Sequence, residues 1–215
     1  MFATIRCHEL ITAGSIAALV AAISPAAAGT LSVFHSFTGG SDGANPSGNT
    51  VVDPQGNIFG IAANGGMDCT TRAACSGVGC GVLWEVNSAG QFSVIVSFFG
   101  WNGAVPNHLA LNPDGAIVGT TAGGGDSDDG LLYIVNKDGT NFQMLRQFSG
   151  VAGCGSNAPW VDSRTGDIWD VDNCAGTNKA EIYTLTRSLN RRDYTFGVYF
   201  NVPARYHVSS HVVGN

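Results

Sequence analysis

The stretch LALNPDGAIVG at 109–119, followed by GLLYIVNKDGTNFQMLRQF at 130–148, decides the architecture of this chain. In each, apolar residues alternate around an Asp-Gly turn, which is the pattern of two β-strands joined as a hairpin. The pair recurs on both sides. VVDPQGNIFG at 51–60 and VDSRTGDIWD at 161–170 match the first hairpin, with turn glycines Gly56, Gly115 and Gly166 spaced by 59 and 51. GVLWEVNSAGQFSVIVSF at 81–98 and, more faintly, AEIYTLTRSLNRRDYTF at 180–196 match the second, and Gly90 and Gly139 lie 49 apart. The period is therefore about 50 residues, with the surplus of the first copy in MDCTTRAACSGVGC between its hairpins, where a loop accepts an insertion.

Each unit supplies about four short antiparallel strands and shows no helical period, which predicts an all-β, β-propeller-like array of four-stranded blades. A sheet of this size cannot cover its own apolar faces, so it stacks against its neighbour. The units are expected near 49–98, 107–148 and 158–202, within a β-repeat domain spanning 29–215. LSVFHSF at 31–37 matches the last strand of a preceding unit. Three blades fall short of the four to eight of closed propellers. The array is thus expected to be incomplete or completed by homo-oligomerisation: LSVFHSF closes the last blade across the chain ends, two chains share a ring, or the array is longer.

The segments SFTGGSDGANPSG at 36–48, GNIFG at 56–60, VGTTAGGG at 118–125 and GVLWEVNSAG at 81–90 together resemble the GloVer tandem repeat, a bacterial repeat of exported or surface-anchored proteins. The resemblance covers most of 31–150 and is best in the second copy. It implies a propeller-like fold and export, and brings no agreed catalytic residues. The third copy departs from the pattern, with Asp170-Val171-Asp172 in place of Gly-Thr-Thr and no Ser-Phe-x-Gly segment closing the unit.

Composition narrows the function classes. Charged residues are 12% of the chain, about half the usual share. Thirty of the 215 residues are glycine, about double the average usage, so the chain is rich in turns. A net charge of −6 with only two lysines argues against nucleic acid as a partner, because phosphate binding needs clustered cations. LITAGSIAALVAAI at 10–23, preceded by Arg6 and followed by Ala26-Ala27-Ala28, reads as a signal peptide over 1–28. The expected location is secreted, periplasmic or on the cell surface, with no membrane association once the signal is removed.

Candidate chemistry is sparse. Five cysteines remain after residue 28, and export favours disulfides: Cys154 with Cys174, and one pair among Cys69, Cys75 and Cys80. Their spacing suits zinc poorly. Asp126, Asp128 and Asp129 in GGGDSDDG form a glycine-rich acidic turn of the kind that binds Ca²⁺, against a plain solvated turn. No other cofactor is indicated. Asp170 and Asp172 share one face of an expected strand and are the candidate acid/base pair. His207 and His211 have metal-like spacing only on a helix, in a stretch that reads as strand or tail. Trp84, Trp160 and Trp169 read as core, whereas Trp101 in FFGWNGAVP sits at a turn and is the candidate ligand-stacking aromatic. Arg187, Arg191, Arg192 and Arg205 make the end of the chain basic, either as a solvated edge or as a docking surface for a second, acidic chain.

The function expected from these features is an exported binding or structural module with a carbohydrate or protein ligand, since repetition suits a scaffold better than a unique catalytic constellation. The alternative is a secreted hydrolase or lyase acting on polysaccharide through loop carboxylates.

Overall fold

The turn chemistry sets the elements. At Asp53 and Asn112 the chain closes three-residue loops: Asp53 N donates to Asn57 O at 3.0 Å and Asn112 N to Ala116 O at 2.9 Å. Gly56 and Gly115 take the left-handed position at φ +83° and +90°, where a side chain would be strained. The Asp53 carboxylate reinforces its loop by accepting from the amides of Gln55 and Asn57, both at 2.9 Å. Asn87 does the same in the second hairpin, accepting from Ala89 and Gln91. Local hydrogen bonding of this kind is why Asp, Asn and Gly occupy the turns.

The computed structural model describes residues 31–67, 77–149, 158–172, 179–188 and 193–203, with backbone alone for 179–180 and 198–203. Twelve strands form three four-stranded antiparallel sheets, each a simple meander. The first sheet holds β1 (Ala44–Val52), β2 (Ile58–Asn64), β3 (Val82–Val86) and β4 (Phe92–Ser97). The second holds β5 (Ala104–Leu111), β6 (Ile117–Gly123), β7 (Leu131–Val135) and β8 (Gln143–Gln147). The third holds β9 (Trp160–Val161), β10 (Ile168–Asp172), β11 (Lys179–Arg187) and β12 (Tyr194–Pro203). Among the described residues there is no helix, and so none long and apolar enough to cross a membrane.

The sheets stack face to face in chain order, and their first strands adjoin, β5 touching both β1 and β9. This is the all-β, propeller-like array expected. One core lies between the first and second sheets, with Phe59, Ile61 and Leu83 against Leu109, Ile117 and Tyr133. A second lies between the second and third, with Val118, Leu132 and Ile134 against Ile168, Tyr183 and Leu185. The middle sheet is therefore covered on both faces, and every residue of β7 is buried. Each sheet thus has a leading face, toward the preceding unit, and a trailing face, toward the next.

The two faces repeat in register. Ile58 pairs with Val86, Ile117 with Val135 and Ile168 with Leu185. Two residues along, Gly60 pairs with Trp84, Gly119 with Tyr133 and Asp170 with Tyr183. The ring of Trp84 lies over Gly60, and that of Tyr133 over Gly119, so a Cβ at either glycine would overlap the ring. An aromatic side chain laid across a neighbouring glycine restores the packing that the glycine gives up.

Two features go beyond the repeat pattern. First, β1 and β5 start at Ala44 and Ala104, because Gly-Ala-x-Pro is taken into the strand through a bulge. The residue before the proline, Asn45 or Val105, stands at φ 55° or 54°. For the β-branched Val105 this conformation costs about 1–3 kcal/mol, and its amide is held by Cys80 O at 3.0 Å. Second, LSVFHSF is not a hydrogen-bonded strand. Its side chains nevertheless dock on the leading face of the first sheet, His35 stacking on Phe92 at 3.6 Å and Phe37 lying 5.9 Å from Trp84.

Candidate functional site

The expected acid/base pair is the place to begin. β10 puts Asp170 and Asp172 on one face, as alternation requires, and that face is turned inward onto the second sheet, leaving them 4% and 3% exposed. Asp170 accepts from Tyr183 Oη at 2.7 Å and from the amide of Val171. Asp172 accepts from Arg146 of β8 at 2.8 Å, and Glu181 lies 3.4 Å from the same guanidinium nitrogen. The guanidinium covers the rings of Tyr183 and Phe196 at 4.3 and 4.4 Å. Burial, then the charge of Asp170, pushes the Tyr183 phenol well above its ordinary value. The network joins the second sheet to the third. Asp170 is the third copy's answer to Gly60 and Gly119: where they leave room for a ring, it supplies an acceptor for one.

The hairpin end carries a second tie between sheets. Lys137, in the turn after β7, reaches Asp53 of the first sheet at 2.6 Å, and the Asp53 side chain is only 1% exposed. Burial pushes the carboxyl up, but the Lys137 ammonium and the amides and side chain of Asn57 outweigh it and hold it down at about 2. Arg187, at the corresponding place in the third sheet, donates to Asn112 of the second at 3.1 Å and pairs with Asp114. Asn112 also donates to Tyr194 Oη at 2.8 Å. A cavity of about 480 Å³ lies here, lined by Asp114, Asn136, Asn141, Gln143, Arg187 and Tyr194. These ties escape a search for single motifs. Superposing the repeats finds them, because Ser88, Lys137 and Arg187 fall at one position.

The opposite end gathers glycine-rich loops. Gly125 N donates to Gly100 O and Gly66 N to Gly40 O, both at 2.8 Å, so the loops entering the first and second sheets are stitched to the middle loops of those sheets. Trp101 projects from the loop between β4 and β5 and is 59% exposed; Phe99 beside it is 43% exposed. Asn102 fixes the loop by accepting from the Phe99 amide at 2.8 Å. Met67 and Val78, in the middle loop of the first sheet, are also exposed.

Asp126, Asp128 and Asp129 lie at this end. Asp128, at φ 63°, accepts from the Gly124 amide at 2.9 Å, while Asp126 exchanges hydrogen bonds with Gln147. Among the described residues no group of three His, Cys, Asp or Glu is placed to hold a metal ion. Asp128 thus turns onto an amide of the glycine run, and Asp126 onto a side chain of β8.

Cys80 is fully buried and disulfide-bonded. Its partner, with Cys69, Cys75, Cys154 and Cys174, lies outside the described residues, as do the signal peptide, His207, His211, Arg191, Arg192 and Arg205. His108 in β5 is half-buried, and desolvation lowers its pKa.

The three stacked meanders define the class, an all-β array of propeller-type sheets. No family model matches the chain, and no curated protein matches it. Among solved structures it is similar to the tricorn protease, at 14% identity and TM-score 0.41, covering 68% of this chain and 12% of that one. It is also similar to a protein named as a gluconolactonase, at 15% identity and TM-score 0.36, covering 69% of this chain and 46% of that one. A Lactobacillus plantarum protein matches at 14% identity and TM-score 0.41, over 75% of this chain and 45% of its own. The chain spans less than half the length of each.

Proposed function

We propose that this protein is an exported binding module, a rigid stack of propeller-type sheets that presents its glycine-loop end to a carbohydrate. The carrying observation is the fate of its carboxylates. Asp53, Asp170 and Asp172, the buried aspartates, each accept from a side chain that holds a fold element in place. The exposed Trp101, on a loop held by Asn102 and by Gly125, is an aromatic platform that pays little ordering entropy when a sugar ring stacks on it. Asp126 is exposed on the loop that Gly125 joins to Gly100.

The test is a glycan panel probed with the purified protein and with Trp101→Ala, alongside a polysaccharide turnover assay of the protein and of Asp170→Asn/Asp172→Asn. Glycan binding that Trp101→Ala removes, without turnover, is the expected result. Turnover abolished by the double variant while its fold persists would establish the polysaccharide-acting enzyme instead. Retention of a protein ligand, with every glycan silent, would replace the carbohydrate.

A further inference from the structure

In a scaffold of like units, a site is marked where the repetition breaks. The turn from Asn136 to Phe142 has one residue more than its counterpart from Asn87 to Phe92. Both turns close on the same bond, Asn87 N to Gln91 O and Asn136 N to Thr140 O, each at 3.0 Å, so the extra residue is Asn141, which stands at φ 53°. Two positions on, Gln143 replaces the short Ser93 of the first sheet. Both departures put a carboxamide on the wall of the cavity of about 480 Å³ between the second and third sheets.

The rest of the lining suits these two side chains. Asn141 and Gln143 are exposed, and their carboxamides make no hydrogen bond with the described residues, so each offers two donors and an acceptor to whatever enters. Ala116 and Ile134, both buried, give the cavity an apolar side. Its charges cancel: the Arg187 side chain, 6% exposed, pairs with Asp114 and donates to Asn112. Asn112 also holds the Tyr194 hydroxyl at 2.8 Å, which fixes that ring in the wall. A ligand matched to this lining is neutral, carries hydroxyls along one edge and has an apolar face. An ion would find no net charge there to offset the hydration it loses.

We propose that this cavity binds a single neutral sugar ring, its hydroxyls on Asn141 and Gln143 and its C–H face against Ala116, Ile134 and Tyr194. The volume falls within the roughly 300–1,000 Å³ of small-molecule sites. Because Arg187 and Tyr194 are already fixed, binding orders little more than the two carboxamides. The cavity lies at the hairpin end, away from the glycine loops, so it stands or falls independently of Trp101.

Calorimetric titration into the millimolar range with glucose, galactose, mannose and N-acetylglucosamine tests this, with glucuronate and glucosamine as charged controls. At least one neutral sugar should bind, and tighter than either control. Asn141→Gly, which keeps the left-handed backbone, combined with Gln143→Ser, the residue of the first sheet, should weaken it about tenfold with the thermal melt unchanged, the worth of one or two hydrogen bonds. Gln143→Ser alone should lose part of this, and Trp101→Ala none. No neutral sugar bound, a charged sugar preferred, or binding indifferent to the folded Gln143→Ser and double variants would each overturn the proposal. Binding that Trp101→Ala removes and the double variant keeps would assign the sugar to the glycine-loop end alone.

Discussion

Tyr133 and Tyr183 hold the same place in consecutive sheets, and their hydroxyls meet opposite fates. Tyr183 Oη donates to the buried Asp170, whereas Tyr133 Oη is buried with no hydrogen-bond partner. Removing a donor from a buried carboxylate costs about 1–3 kcal/mol, while removing an unsatisfied hydroxyl costs almost nothing. Urea unfolding should therefore find Tyr183→Phe destabilised by about that amount and Tyr133→Phe unchanged or slightly more stable. Gly119 gives the converse. A methyl there must displace the Tyr133 ring, and Gly119→Ala should cost about 1–3 kcal/mol by overpacking. The sequence shows the aromatic and the glycine but not their contact, because cross-strand register appears only once Gly119 and Tyr133 are paired.

At the scale of elements, the hairpins were legible and their ties were not. Gly56, Gly115 and Gly166 locate the turns, and alternation locates the strands, because both follow from local backbone preference. Asp170 and Asp172 were read correctly onto one face, but which face is inward depends on the sheet that covers it. Likewise Pro46 pairs with Ala62 inside β1, and the irregularity between Ser47 and Val51 that lets the strand run on is a matter of pairing, not of local preference. The tie from Lys137 to Asp53 has a pH signature. Its carboxyl is held at about 2, below the ordinary 3.8, so its contribution is complete above the ordinary value and lost as pH falls toward 2. Lys137→Met should destabilise the protein by about 1–3 kcal/mol at neutral pH, and thermal melts of the two proteins should converge as pH falls through that window.

For the molecule as a whole, the repeat made the fold readable and the site obscure. A scaffold of like units spreads similar residues over equivalent places, so no spacing of reactive groups marks a site; Trp101 stood out only because it sits on a turn rather than in a strand. Trp101→Ala should leave stability within about 0.5 kcal/mol of the parent, as expected of an exposed position, while removing glycan binding, and a melt set beside a binding isotherm separates the two. The tie at the hairpin end has one more consequence. Lys137 reaches back to Asp53, and Asn112 of its own sheet receives Arg187, so the second sheet carries both halves of one fastener. A duplicated second unit spliced in behind the original would bring a lysine to Asn112 where Arg187 now reaches, and an unused Asn to the Arg187 that follows. Such a gene could grow by whole modules without redesigning any joint.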